Sequence, residues 1–279
     1  MKKYLPLLAA MVTIATTSHA EVSMTLGGGV SISPEYEGSD SYDIDGLPYV
    51  ALGWENEYRS GIWFNEDYTV MFGLLEVGID LIDGLAVRYL ELNTGNHSIN
   101  FVTALNFDFG RDENDDSALL GLGDIDEHLI GELSIELGPG EEPSSFFFSI
   151  GLESQFDISN ETNGIEISLG VNGNHKFDEK LLLSYGPSIT WANENFMQSY
   201  FGIDTVQAAN SSYSKFDADA GIKTINADIT LGYSWAENWT FLSFLTYSYL
   251  TSDAAGSPLV ELEGSTDQIS FAIGVGYEF

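Results

Sequence analysis

The sequence predicts an all-β protein: a closed antiparallel transmembrane β-barrel of about twelve strands, within limits of roughly ten to fourteen. Three observations predict this fold class. Apolar and polar residues alternate with a period of two in one segment after another. The polar positions hold mostly small, uncharged residues, whereas strands that face water usually carry Lys and Glu. An apolar leader at the N-terminus indicates export.

The last segment shows the alternation most clearly. Its apolar face holds Phe271, Ile273, Val275, Tyr277 and Phe279, while the residues between them are Ala, Gly or Glu. Because successive side chains of a strand point to opposite faces, this segment has one bulky apolar face and one mostly small face. The segment 22–33 and seven later ones follow the same pattern: 98–110, 127–137, 145–156, 164–174, 180–191, 222–235 and 238–250.

The kind of residue on the polar face favours a membrane barrel over a soluble sandwich or a lipocalin-like barrel. In 222–235 that face contains Thr224, Asn226 and Asp228, opposite Ile225 and Ile229. A bulky apolar exterior around a polar interior is typical of a barrel in lipid. Lipid offers no hydrogen bonds, so a sheet spans it only when the sheet closes and leaves no edge.

Connector lengths predict the strand count, because bacterial barrels have even strand numbers, short periplasmic turns and longer extracellular loops. If the last strand descends to the periplasm, all the long connectors fall outside: 34–45, 111–125, 192–218 and 251–266. The short ones fall inside: 138–144, 176–179 and 236–238. Twelve strands then require two from residues 58–97. That stretch contains three candidate runs, around 60–66, 69–81 and 85–93.

The first twenty residues have the features of a secretory signal peptide. Lys2 and Lys3 precede an apolar stretch over 4–14, and Ser18-His19-Ala20 forms a small-residue cleavage site. The apolar stretch is shorter than the roughly 20 residues that a membrane-spanning helix needs. We expect cleavage after Ala20, which leaves one barrel domain over 21–279.

Composition excludes several functions. The chain has 43 acidic and nine basic residues, a formal net charge of −34 that excludes nucleic acid as a partner. It has no Cys, and therefore neither disulfides nor a thiolate metal site. His97, His128 and His175 lack metal-binding spacing, and neither a nucleophile elbow nor a phosphate loop occurs. We predict no cofactor and no enzymatic activity, although a Ser–His–Asp set assembled across strands would leave no linear motif.

One acidic run is a candidate metal site. Asp112, Glu113, Asp115 and Asp116 surround Asn114 and offer the oxygen ligands that a hard cation such as Ca²⁺ prefers. The run lacks the spacing of a known calcium loop. A solvated extracellular loop explains the same residues.

The long connectors also resemble the motifs of a known family. The segment 34–40 with 46–49 resembles the opening of the MipA/OmpV family of outer-membrane proteins. The segments 110–112 with 121–125, 193–202 and 250–259 are similar to its later signatures, in the same order, whereas 58–97 departs from the pattern. The motif residues are Pro34, Tyr36, Glu37, Gly38, Ser39, Asp40, Pro48, Arg111, Gly121, Gly123, Asp124, Asn195, Tyr200, Gly202, Ser257 and Pro258.

The resemblance implies a location and a role. The family consists of outer-membrane proteins, so the barrel would contact outer-membrane lipid. The terminal pattern ending in Phe279 resembles the signal by which the barrel-assembly machinery recognises its clients. The family is named for a member that binds a murein hydrolase, a lytic transglycosylase, and a murein synthase, which predicts a non-enzymatic envelope scaffold. A small cation-favouring channel or uptake pore is the first alternative, and a surface receptor or adhesin that uses the long loops is the second.

Overall fold

The computed structural model describes residues 22–54, 60–65, 68–80, 84–93, 97–139, 146–178 and 180–279. The expected signal peptide lies outside these residues. The strands are β1 (Val22–Pro34), β2 (Tyr42–Trp54), β3 (Ser60–Asn65), β4 (Tyr68–Asp80), β5 (Gly84–Asn93), β6 (His97–Asp108), β7 (His128–Pro139), β8 (Phe146–Asp157), β9 (Ile165–Lys176), β10 (Leu181–Ala192), β11 (Gly221–Ala236), β12 (Trp239–Leu250) and β13 (Asp267–Glu278). Four short α-helices lie between strands: α1 (Glu194–Phe201), α2 (Thr205–Asn210), α3 (Ser252–Gly256) and α4 (Pro258–Glu263). None of the described helices has the length and apolarity to cross a membrane.

The strands form one antiparallel sheet, which confirms the all-β prediction. Sequence neighbours pair throughout β3 to β13, β13 pairs with β1, and β1 pairs with β2. β2, at one end of this order, has Cα atoms within 8 Å of β4, next to the other end. The sheet therefore curves back towards itself.

The described strands number thirteen rather than the expected twelve. The difference lies in 58–97, where the three candidate runs all form strands, as β3, β4 and β5. The extra strand, β3, has six residues, fewer than the roughly nine to eleven that a membrane-crossing strand needs. The other twelve have at least ten residues each. The even-number rule concerns strands that cross the membrane, which is why it missed a short strand paired with β4 alone.

Exposure alternates along the strands whose side chains the structure describes, as the sequence pattern predicted. On β8 the relative exposure is 61% for Phe148, 2% for Ser149 and 46% for Ile150. A soluble protein would show the reverse, since it rarely exposes a contiguous apolar surface of this extent. Further exposed apolar side chains on the same outer face include Leu133, Ile135, Leu137, Leu152, Ile165, Ile167, Leu169, Val171, Tyr185, Ile189, Ile225, Ile229, Tyr233, Ile269, Phe271 and Val275.

The long and short connectors lie at opposite ends of the sheet. Residues 35–41, 109–127, 158–164, 193–220 and 251–266 join strands at one end, which we call the loop end. Residues 177–180 and 237–238 join strands at the other, the turn end. The four expected long connectors lie at the loop end to within a few residues, and 158–164 lies there too although it was not among those expected. The expected turns 176–179 and 236–238 agree with the turn end, whereas most of the expected turn 138–144 lies outside the described residues.

Aromatic side chains cluster at the turn end. Trp235 stacks on Trp239 at 5.7 Å between ring centroids, Trp239 meets Tyr277 edge-on at 4.9 Å, and Tyr277 meets Phe279 at 4.7 Å. A second cluster at the same end consists of Phe146, Phe148, His175 and Phe177. Amphipathic and aromatic rings of this kind favour the boundary between membrane and water.

We predict that removing Phe279 reduces the amount of inserted protein more than it reduces the stability of protein already folded. The side chain is 64% exposed and contacts the ring of Tyr277, so its loss removes few packing contacts from the folded protein. The measurement is the yield of compact, heat-modifiable protein in outer-membrane fractions on unheated gels. Phe177→Ala, at a side chain 56% exposed at the same end, is the control. Equal yields from both variants would show that the terminal residue has no special part in assembly.

Candidate functional site

The loop end carries a folded cap, which we define as residues 35–41, 109–127, 193–220 and 251–266. These connectors contain the four α-helices and a 3₁₀-helix at Ser117–Leu119. Most of the fully buried large side chains of the described chain lie here rather than between strands. Among the side chains that the structure describes, the cap therefore contains most of the hydrophobic core.

Two apolar clusters hold the cap together. The first joins α1 to α3 and α4 through Met197 and Phe201, both 0% exposed, with Ala218, Ala254 and Val260. The second joins the remaining loops and contains Tyr36, Leu119, Leu122, Ile203, Tyr213 and Leu259. Burying large side chains of this type contributes about 1.5–3 kcal/mol each. Segments distant in sequence are thus fixed against one another.

The opening motif lies in the β1–β2 loop and ties it to the β12–β13 connector. Gly38 has φ of +99°, and a Cβ there would meet Val260, so the position favours glycine. Its N–H donates to Gln268 Oε1 at 3.2 Å, and Gln268 Nε2 donates to the carbonyl of Ser39 at 3.0 Å. The motif therefore docks the β1–β2 loop against α4 and the start of β13.

The acidic run folds its own loop. Glu113 Oε2 accepts hydrogen bonds from the N–H groups of Gly121 and Gly123, both at 3.1 Å, and its own N–H donates to Asp124 Oδ1 at 2.8 Å. Asp112 Oδ1 accepts from the backbone N–H of Asn114 at 2.8 Å, which lowers the pKa of this carboxyl. Carboxylates of the run therefore bind backbone N–H groups of their own loop.

The metal site is not assembled among the residues that the structure describes. No group of three or more His, Cys, Asp or Glu side chains is placed there to share an ion. Asp116 caps the 3₁₀-helix by accepting from the N–H of Ala118 at 2.8 Å. An open cleft of about 450 Å³ separates the 113–123 loop from α2.

Asn193 is the N-cap residue of helix α1 and also binds the sheet. Asn193 Oδ1 accepts from the N–H of Phe196 at 2.9 Å and from the N–H of Ile165, at the start of β9, at 3.0 Å. Asn195 Nδ2 donates to the carbonyl of Asn163 at 3.2 Å. At the other end of the helix, Ser257 Oγ donates to the carbonyl of Phe201 at 2.7 Å. The N-cap is worth about 1 kcal/mol to the helix.

A buried ion network lies directly below α1. Lys223 Nζ is 2.8 Å from Glu37 Oε1 and 2.5 Å from Glu166 Oε1. It also lies 4.4 Å from the centroid of the Phe196 ring, within cation–π range. The residue is 7% exposed. One ammonium group thus connects the β1–β2 loop, β9 and α1.

A β-bulge turns Lys223 to the polar face. Thr190 pairs with Thr224, but Trp191 pairs with Ile222, so Lys223 is an extra residue on β11. Strict alternation would place Lys223 on the outer face with Ile225. The bulge changes this direction, and both Lys223 and Thr224 are buried.

A second network holds the other end of α1. The hydroxyl of Tyr200 donates to Asp108 Oδ2 at 2.7 Å, and Arg111 Nη1 donates to the carbonyl of Tyr200 at 2.9 Å. His128 Nε2 lies 3.7 Å from the same Asp108 oxygen. Burial lowers the pKa of Arg111, which is 8% exposed. These groups position the helix.

Two buried tyrosines act as neutral donors in the cap. Burial, followed by Glu263 and Asp116, raises the pKa of Tyr213 to about 12. Burial, followed by Asp116, raises the pKa of Tyr36 further still. Tyr213 donates to the carbonyl of Ala118 at 2.8 Å, and Tyr36 to that of Glu263 at 3.5 Å.

Sequence motifs located the cap but missed its network with the wall. Glu37, Arg111 and Tyr200 belong to motifs quoted from the sequence, whereas Glu166 and Lys223 do not. Lys223 itself could have indicated this network. Alternation places it among the apolar positions of β11, and a lysine that faces lipid is costly unless it turns inward and is paired.

The fold and the cap define a class of protein: an outer-membrane β-barrel fold with a folded cap over one end of its polar face. An outer-membrane channel from Pseudomonas putida F1 aligns with a TM-score of 0.50 and 12% identity, covering 94% of this chain and 97% of that chain. A loop L8 deletion mutant of OmpT, an outer membrane protein of Vibrio cholerae, aligns with a TM-score of 0.45 and 9% identity over 94% and 99%. At such identities the likeness concerns the fold alone. No curated protein matches the sequence significantly.

The family model described as MltA-interacting protein MipA matches residues 26–279. The chain therefore belongs to the MipA family, which confirms the family prediction from the loop motifs. Family and fold together support an outer-membrane location.

We expect Gly110→Ala to loosen the cap. Gly110 has φ of +68°, and a Cβ there would overlap the carbonyl oxygen of Ile125, which accepts a hydrogen bond from the N–H of Arg111. Gly123→Ala is the matched control, because its φ is +76° but a Cβ would meet nothing within 4 Å. The control therefore has only the strain of a left-handed backbone, about 1–2 kcal/mol, and not the overlap. Proteinase K should cut the cap faster in the first variant, and equal rates would contradict the overlap.

Lys223→Met should destabilise the folded protein by up to about 3 kcal/mol, since it leaves the partly buried carboxylates of Glu37 and Glu166 without their cation. Lys215→Met removes an exposed pair with Asp217 and should change stability by under about 1 kcal/mol. Thermal unfolding in detergent, followed by near-ultraviolet circular dichroism, compares the two. Indistinguishable midpoints would mean that the buried network contributes no more than a surface pair.

Proposed function

We propose that residues 21–279, released from a signal peptide over 1–20, form a single closed barrel with twelve membrane-crossing strands in the outer membrane. The approach of β2 to β4 supports closure, because a sheet edge exposed to lipid would leave backbone groups without hydrogen bonds. The exposed apolar outer face supports contact with lipid. The strand β13, paired on both sides, supports recognition of its terminal residues by the barrel-assembly machinery.

The barrel, in this proposal, is a non-enzymatic scaffold that holds a murein hydrolase and a murein synthase at the outer membrane. The family match over 26–279, to a protein described as interacting with the murein enzyme MltA, is the observation that carries it. The cap agrees with this role, because it covers the polar face at the loop end with packed side chains. Soluble murein enzymes would then bind at the turn end.

The turn end limits how such a partner binds. Specific interfaces usually bury about 800 Å² on each partner, more than one tight turn offers. A partner must therefore contact several turns at once. Lys180, exposed in the turn after β9, lies on this surface.

The scaffold predicts that crosslinking followed by affinity purification from outer-membrane fractions recovers a lytic transglycosylase. Lys180→Glu at the turn end should lower the recovery severalfold, since reversing a charge at an interface rim costs about 1 kcal/mol. Lys215→Glu, on the cap, is the matched control and should recover as much as the unaltered protein. Absence of any murein enzyme, from protein that still migrates as a compact barrel, would refute the scaffold and leave the barrel standing.

A cation-favouring channel is the second candidate, and the residues of the polar face favour it. Glu132, Glu153 and Asp228 lie there, half-buried, and bind neutral groups: Asn106 at 3.1 Å, Gln155 at 2.8 Å and Thr246 at 2.8 Å, respectively. Carboxylates lining a pore attract cations.

A further inference from the structure

Helix α1 lies across the loop end of the polar face and is held by three strands. Asp108 ends β6 and accepts from Tyr200, Ile165 begins β9 and donates to Asn193, and Lys223 near the start of β11 faces Phe196. Phe196 and Tyr200 stack at 4.5 Å between ring centroids, so both attachments act on one rigid face of the helix. The helix therefore bridges the mouth of the curved sheet.

The contacts of α1 with the sheet include polar ones that its contacts with the cap lack. Met197 and Phe201 pack in one apolar cluster with the cap residues Ala254 and Val260 and with Ala192 and Leu250, the last residues of β10 and β12. Towards the sheet, α1 adds hydrogen bonds with Asp108 and Ile165 and one cation–π contact with Lys223. The ion pair between Lys223 and Glu37 further links the sheet to the β1–β2 loop of the cap. Water can replace polar contacts but cannot replace buried apolar ones. Movement of α1 away from the sheet would thus replace these polar contacts with hydration and expose its apolar contacts with Ala192 and Leu250.

Carboxylates continue along the polar face beyond the polar contacts of α1. Glu166 lies at these contacts, and Glu132 and Glu153 lie four residues from the loop ends of β7 and β8. Asp228 follows on β11. A cation that passed α1 would meet a carboxylate-lined path, whereas an anion would be repelled.

We propose that α1, moving with the cap, is a gate over the polar face, latched by Lys223 and opening to admit small cationic solutes. This inference rests on the closed barrel proposed above and is independent of the scaffold. In the latched state, Lys223 satisfies Glu37 and Glu166 and holds Phe196. When the latch is broken, both carboxylates become available to the entering cation.

A reversible crosslink tests the gate. A Cβ at Gly164 would lie 3.4 Å from the Cβ of Phe196, close to the separation of roughly 3.5–4.5 Å in disulfides. The protein has no Cys, so the pair Gly164→Cys and Phe196→Cys forms one defined bond between the β8–β9 loop and α1. Reduction leaves the same polypeptide without the bond and without the ring over Lys223.

The readout is current through planar bilayers in potassium chloride, with a concentration gradient to give the ion selectivity. The oxidised variant should be as silent as the unaltered protein, and the reduced one should carry about tenfold more cation-selective current. Gly164→Cys alone, which forms no such bond, is the control for any effect of the reductant on the current. Lys223→Met should raise the current without any disulfide, and Lys215→Met should not.

The remaining outcomes distinguish failure of the gate proposal from failure of the closed-barrel proposal. Equal current from the unaltered, oxidised and reduced proteins overturns the gate and leaves an open channel. Silence of the reduced variant and of Lys223→Met, with compact migration on unheated gels, also overturns the gate but leaves the barrel intact. Loss of the compact species from the unaltered protein itself would refute the closed barrel.

Discussion

The structure depends on one constraint: a sheet whose outer face is apolar must place its polar residues inside. The alternation on β8, from Phe148 through Ser149 to Ile150, shows the consequence, since the buried member of each pair is the small polar one. Such an interior cannot form a hydrophobic core, because serine and asparagine side chains offer little apolar surface. Pairing of every strand with its neighbours supplies the order of the wall instead.

The core appears in the loops for the same reason. Leu119, Met197, Phe201, Ile203 and Leu259 are essentially inaccessible, and they come from three connectors that only the folded chain brings together. The cap then meets the polar face through charge, where Lys223 faces Glu37 and Glu166. A buried cation shared by two carboxylates tolerates little displacement, since moving it leaves charges unpaired in a poorly hydrated space. The Phe196 ring of α1 lies over this paired cation, so the network also bears on the position of the helix.

Much of the wall could be predicted because strand signals are local. Period-two alternation identified β6 to β13 and β1 within a few residues. The alternation from Phe271 to Phe279 showed which face of the last strand is apolar. The three runs in 58–97 were also visible, but their number was decided by a parity rule that does not apply to β3, which pairs with β4 alone. From the sequence, the acidic run at 112–116 is a candidate for a metal site or a solvated loop. In the structure, Glu113 binds the N–H groups of Gly121 and Gly123, and Asp116 binds that of Ala118, pairings that depend on turns still unformed in the linear chain.

The sequence by itself determined the fold class and the family, because both depend on residue types at short, fixed spacings. It also marked Glu37, Arg111, Tyr200 and Ser257 as motif residues, without showing what they contact. Only the tertiary structure decided that these residues meet in one cap and that a bulge on β11 turns Lys223 inward beneath α1. The physical reason is that burial and charge pairing join residues more than a hundred positions apart, such as Glu37 and Lys223, and no local pattern records a contact over that separation.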